Sequence, residues 1–138
     1  MITAVDTNVL VDVFGADAAF GEGSAAALRR CSAAGRLVAC DVVWAEVASV
    51  FPTPTAARDA LERLAVDLDP VSSSTALTAG EARRVYRRRG GRRQRLVADF
   101  LIGAHAAEQA DRLLTRDRGF YRGYFAGLEL HDPTESES

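Results

Sequence analysis

Four acidic residues stand where a charge is expensive unless something compensates it. Asp6 closes the apolar run Ile2-Thr3-Ala4-Val5, and Asp117 follows Leu113-Leu114-Thr115-Arg116 in the same way. Glu46 has Val42, Val43 and Val50 at i−4, i−3 and i+4, while Asp99 has Leu96 and Ile102 at i−3 and i+3, so each carboxylate projects from an apolar helical stripe. If the strands ahead of Asp6 and Asp117 are neighbours, the four acids meet in one pocket, where like charges raise one another's pKa. A hard divalent cation relieves that repulsion, and oxygen-only ligands suit Mg²⁺ or Mn²⁺. Metal-bound water loses its proton far more readily than bulk water, and the ion neutralises charge at a phosphate, so the chemistry indicated is phosphodiester hydrolysis. Plainer readings exist for each acid: Asp6 and Asp117 as helix N-caps, Asp99 as the ion-pair partner of Arg95 one turn earlier.

The elements that must position these side chains follow from local patterning. Ile2 to Val5 reads as a buried strand, running at once into a helix over Thr7 to Phe14. After a loop from Gly15 to Gly23, an alanine-rich helix over Ser24 to Ala34 ends at Gly35, and Leu37 to Cys40 is a second strand. Asp41 is placed to cap a helix over Val42 to Phe51. Pro52 and Pro54 break it, a helix restarts over Thr55 to Leu64, and Val66 to Leu68 is a third strand. Ser72 to Ser74 cap a helix through Tyr86, Gly90-Gly91 separates it from a helix over Arg95 to Gln109, and Leu113 to Thr115 is a strand. A short aromatic helix and a last strand over Leu128 to Leu130 complete the domain. Strands alternating with helices predict an α/β three-layer sandwich with a mainly parallel central sheet, whose ligands gather beyond the carboxyl ends of the strands.

Composition removes most competing chemistries. The 138 residues suffice for one domain, expected over 1–132, with 133–138 as an acidic flexible tail. All 17 basic residues are arginine, so a P-loop lysine, a Schiff-base lysine and the lysine of a phospho-aspartate receiver are excluded. No serine lies in a G-x-S-x-G turn. Cys31, Cys40, His105 and His131 lack zinc-site spacing, and the cysteines read as buried thiols. No apolar stretch reaches the roughly 20 residues of a membrane helix, and the first residues lack a basic n-region, so the expectation is a cytoplasmic protein.

At the acids themselves the sequence resembles the PIN-domain ribonucleases, and among them the VapC-type toxins of toxin-antitoxin pairs. The resemblance is carried by Val5-Asp6-Thr7-Asn8-Val9-Leu10, by Glu46 in the helix after the second strand, by Asp99-Phe100-Leu101-Ile102-Gly103-Ala104-His105-Ala106, and by Leu113-Leu114-Thr115-Arg116-Asp117-Arg118-Gly119-Phe120-Tyr121. The ending Leu128 to Pro133 also looks like the toxin subgroup. The resemblance implies a PIN-like fold and a metal-dependent endoribonuclease. It also implies that Asp6, Glu46, Asp99 and Asp117 are the catalytic metal ligands, for one or two Mg²⁺ or Mn²⁺ ions, two of which would lie roughly 4 Å apart. By the same resemblance the partners are an RNA substrate, a second copy of the chain, and a small VapB-like antitoxin seated near the helices around Val42 to Leu64.

Around the acids, Asn8 is expected to orient Asp6 or a metal-bound water, and Thr115 to do the same for Asp117. His105 reads as a satisfied packing residue, Trp44 as partly buried, and Asp12 as solvent-exposed. Arg83 to Arg95 holds eight of the 17 arginines and no acid, leaving nine basic against 19 acidic residues elsewhere, so the overall charge of −2 hides strong polarisation. Arg88, Arg89, Arg92 and Arg93 are the expected RNA-binding residues, with a solvated helix face as the plain alternative. Two other functions share part of the pattern. A haloacid dehalogenase-type phosphohydrolase also begins from an aspartate after strand one, but carries a second acid where this chain has Asn8. A PIN-like module that only binds nucleic acid has no need of all four acids.

Overall fold

A computed structural model describes residues 1–91 and 95–135. In chain order the elements are β1 (Ile2–Val5), α1 (Thr7–Phe14), α2 (Gly21–Ala34), β2 (Arg36–Ala39), α3 (Asp41–Ala48), α4 (Pro54–Arg63), β3 (Val66–Leu68), α5 (Ser73–Arg88), α6 (Val97–Gln109), β4 (Arg112–Leu114), α7 (Arg118–Tyr124) and β5 (Glu129–His131). The strands form a single sheet in the order β3-β2-β1-β4-β5, and each adjacent pair is parallel. With this strand order, the right-handed rule for parallel crossovers puts the helices after β1 and β2 on one face and those after β3 and β4 on the other. The packing agrees, with α1 on α2 and α3, and α5 on α6. The result is the expected three-layer sandwich.

The core is built from the short strands and the apolar stripes around them. Ala4, Val5, Val38, Ala39, Leu113 and Leu114 are buried on the sheet, and Val9, Leu10, Val43, Val47, Leu61, Phe100 and Ile102 cover it. A ring cluster links α5, α6 and α7: Phe100 stands edge-on to Phe120 with centroids 5.2 Å apart and tilts against Tyr86 at 5.5 Å. Gly103 on α6 admits the Phe125 ring, since a Cβ there would lie 2.3 Å from it.

Boundaries differ from the expected ones by the rules of capping. Helix α2 starts at Gly21 rather than Ser24, because the Asp17 carboxylate turns the loop early by accepting from the Ala19 and Phe20 amides. Cys40 takes the N-cap position of α3, which places Asp41 in its first turn. Thr53 caps α4 through the Ala56 amide with Pro54 at its start, and Ser72 caps α5 through the Thr75 amide. Helix α6 begins at Val97, two residues after Arg95. Both cysteines are buried free thiols. The segment entering the expected tail is tied down: Arg118 pairs with Asp132 at 3.0 Å and with Glu135, and Pro133 is buried. Among the described residues, no helix is long and apolar enough to cross a membrane.

Candidate active site

The chain turns back on itself at β1, which has β2 on one side and β4 on the other, and such a switch point opens a crevice at the carboxyl ends of the strands. Parallel pairing aligns Val5 with Leu114, so Asp6 and the Thr115-Arg116-Asp117 turn leave the sheet side by side. The Asp6 amide donates to the Leu114 carbonyl at 3.0 Å, fixing that alignment.

Asp6 is 5% exposed and is the most constrained acid of the site. Its Oδ1 accepts from the Thr7 amide at 2.7 Å. Its Oδ2 accepts from the Thr115 hydroxyl at 2.7 Å, the Tyr121 hydroxyl at 3.0 Å and, more weakly, the Asn8 amide at 3.4 Å. Burial pushes the Asp6 carboxyl up to about 6; the bonds from Thr115, Tyr121 and Thr7 pull the other way, and the charge of Asp99 adds to the rise. Asp6 therefore serves as the N-cap of α1 and as a charged group held at a cost, two roles that are compatible.

Of the other acids, Asp99 acts on the Asp6 charge directly, and each has its own hydrogen-bond partner. Asp99 lies at the third position of α6, and its Oδ2 accepts from the Leu96 amide at 3.0 Å, half of a capping box. Glu46 is exposed, not set into an apolar face, because Val50 beyond the end of α3 is itself 59% exposed; its Oε1 accepts from the Thr7 hydroxyl at 2.7 Å. Asp117 makes no side-chain cap on α7, and its carboxylate is held instead by the Arg95 fork at 2.5 and 3.3 Å. Arg95 thus pairs with Asp117 rather than with Asp99. Among the described residues no three His, Cys, Asp or Glu side chains come close enough to hold a metal ion. Asp6, Asp99 and Asp117 nevertheless share one electrostatic neighbourhood, because all three charges act on the Tyr121 hydroxyl. The donor set, hard carboxylate oxygens around one that burial makes costly to ionise, fits a hard divalent cation in chemistry.

The supporting residues differ in detail from expectation. Thr115 is fully buried and donates to Asp6, not to the Asp117 carboxylate, while its oxygen accepts from the Asp117 amide at 2.9 Å. Asn8 reaches Asp6 and accepts from the Arg116 amide at 3.3 Å. Asp12 is buried, not solvent-exposed: Arg116 grips it at 2.7 and 3.0 Å, Ser24 donates to it at 2.9 Å, and the Phe20 ring lies 4.0 Å beneath the guanidinium. His105 is a satisfied core residue, with Nε2 2.8 Å from Asp69, and Trp44 is partly buried. Arg88 and Arg89 are exposed at the end of α5, with Arg89 5.6 Å from the Tyr124 ring centre; Arg92 and Arg93 lie outside the described residues. Tyr121 is absent from the sequence-level candidates. It stands one helical turn after Asp117, a spacing that aims it back at the strand ends, but on a ring-rich helix it reads as core. Burial, then the Asp6 charge, pushes its phenol well above the ordinary 10, so it remains a donor.

No curated protein matches the sequence significantly. Among solved structures, the fold is similar to VapBC2 from Rickettsia felis bound to a promoter DNA fragment, at 21% identity over 96% of this chain and 98% of that one, TM-score 0.74. It is also similar to VapBC-1 from nontypeable Haemophilus influenzae, at 19% identity over 98% and 100%, TM-score 0.73. A third is Mycobacterium tuberculosis VapC20, described as a sarcin-ricin loop cleaving toxin, at 18% identity over 90% and 96%, TM-score 0.62. The PIN domain profile matches residues 3–126, a span that runs from β1 past α7 and takes in all four acids. With acids at the switch point of a parallel three-layer sheet and that profile across most of its length, this chain belongs to the PIN domain family.

Proposed function

We propose that the chain is a metal-dependent endoribonuclease that hydrolyses RNA phosphodiester bonds and acts as the toxin of a toxin-antitoxin pair. The observation that carries this reading is Asp6, a carboxylate buried at the switch point, raised to about 6 and subject to the charge of Asp99. A nearby cation lowers the cost of ionising a carboxylate so placed. Membership of the PIN family and likeness to a sarcin-ricin loop cleaving toxin support RNA as substrate, and likeness to VapBC complexes supports a VapB-like antitoxin as partner. A homodimer and a cytoplasmic location belong to the same proposal.

Asp6, Glu46, Asp99 and Asp117 would hold Mg²⁺ or Mn²⁺, which when bound supplies a more acidic water and neutralises charge at the phosphate. The protein's own contribution is positional. Thr115, Tyr121 and Asn8 occupy Oδ2 of Asp6 and set the plane of its carboxylate, which leaves Oδ1, with its single Thr7 bond, the oxygen with capacity to spare. The Thr7 hydroxyl ties Glu46 to the start of α1, next to Asp6. Arg88, Arg89, Arg92 and Arg93 would hold the phosphate backbone through charge, without reading sequence.

In this reading Asp6→Asn and Asp99→Asn each abolish cleavage of a susceptible RNA while remaining folded, and EDTA reproduces the loss. Expression of the wild-type chain slows growth and expression of Asp6→Asn does not. Cleavage at the wild-type rate by either variant, in a nuclease-free preparation, removes the assignment.

A further inference from the structure

We propose that the Arg95 guanidinium and a divalent cation compete for Asp117, so that Arg95 is a built-in counterion which metal loading must displace. Both Asp117 oxygens are engaged by the Arg95 fork, Nη1 to Oδ2 at 2.5 Å and Nη2 to Oδ1 at 3.3 Å. The guanidinium lies 4.3 Å from the centre of the Phe120 ring, which supports its flat face while its edge meets the acid. Asp99 adds its field to that of Asp117 at the same guanidinium. The pair is only partly covered, with Arg95 31% and Asp117 36% exposed at the side chain, so water and ions reach it.

A cation arriving at Asp117 meets a like charge whose fork already takes a lone pair on each oxygen of the same carboxylate, so the two oppose each other there. Arg95 stands two residues before α6, whose third residue is Asp99, so a single chain segment carries both an acid of the site and the cation that compensates its neighbour. The arginine run that leads to it is thereby divided: Arg84 is spent on Glu81, Arg95 on the site.

This inference rests on the metal-dependent reading above, and it predicts a sign that a merely structural role for Arg95 would reverse. Loss of a purely structural pair would loosen Asp117 and weaken metal binding; loss of a competitor strengthens it. Mn²⁺ is titrated into wild type, R95Q and R95K without RNA, free Mn²⁺ being read by electron paramagnetic resonance. R95Q is expected to bind about five- to tenfold more tightly than wild type, the upper range for a partly covered bidentate pair. R95K, which keeps the charge and loses the fork, falls between. In wild type, saturating Mg²⁺ shifts the Arg95 Nη–H resonances as the fork opens, a readout independent of how the variants fold. Equal or weaker Mn²⁺ binding by folded R95Q, or an Arg95 resonance unmoved by bound Mg²⁺, overturns the competition and leaves the nuclease reading standing. Absence of Mn²⁺ binding by wild type and R95Q alike overturns both.

Discussion

Replacing Asp6 by Asn should stabilise the metal-free protein at neutral pH, against the usual cost of changing a buried polar residue. The carboxyl is raised to about 6 from an ordinary 3.8, so the folded state holds its proton more tightly than the unfolded chain does. Whatever stability protonated Asp6 contributes is present below 3.8 and is lost as pH climbs through about 6. Above that, the ionised carboxylate costs about 3 kcal/mol relative to an aspartate in water. Asn removes the charge and its repulsion with Asp99. Its amide cannot, however, accept on both sides, and the Thr7 amide or the Thr115 and Tyr121 hydroxyls lose a partner, which returns about 1–2 kcal/mol. The expected net gain is about 1–2 kcal/mol, or a Tm higher by about 3–6 °C for a chain of this size. Thermal unfolding in EDTA near pH 7.5 measures it, and the advantage should vanish near pH 4. Adding Mn²⁺ should reverse the order, because only the wild type gains binding energy. A variant less stable than wild type at neutral pH, or a difference that ignores pH, would refute the account of Asp6 as a charge held at a cost.

Three further outcomes test the surrounding structure. Tyr121→Phe removes the 3.0 Å bond to Asp6 and nothing else of size, so stability should change by no more than roughly 1 kcal/mol while Mn²⁺ affinity falls several-fold; unchanged Mn²⁺ affinity would deny Tyr121 a positioning role. Asp12→Asn leaves the Arg116 guanidinium beside Phe20 without its paired charge and should cost about 2–3 kcal/mol in urea denaturation, whereas an exposed Asp12 would show no effect. Gly103→Ala drives a methyl into the Phe125 ring and should cost about 1–3 kcal/mol, visible as a lowered Tm.

The readings that succeeded from sequence are those with a local physical cause. The order of strands and helices follows from short β-favouring runs bounded by caps, prolines and glycines, and residues 2–5, 7–14 and 66–68 form the expected elements without adjustment. Helix α1 is legible because Asp6 both ends a buried strand and caps the helix that starts at Thr7. His105 is legible as core because its neighbours on the chain are apolar. Glu46 and Asp12 misled for the same reason: helical spacing reports which residues share a face, and the tertiary packing decides whether that face is covered. Asp12 sits on the covered one, and Val50, the third of the apolar neighbours of Glu46, lies past the end of α3 in the open.

By itself the sequence determined an α/β domain with acids after its strands and on its helices, since composition, periodicity and capping act within a few residues. The tertiary structure alone decided the partners. Thr115 and Tyr121 meet Asp6 across 109 and 115 residues, and they do so because β1 and β4 pair in parallel with Val5 beside Leu114. Arg95 is one turn from Asp99 in sequence yet bonds Asp117, 22 residues away, because the Phe120 ring of α7 supports its guanidinium there and Asp99 has turned one oxygen to the Leu96 amide. Charges choose partners by distance and desolvation in space, and neither quantity is written in the spacing of residues along a chain.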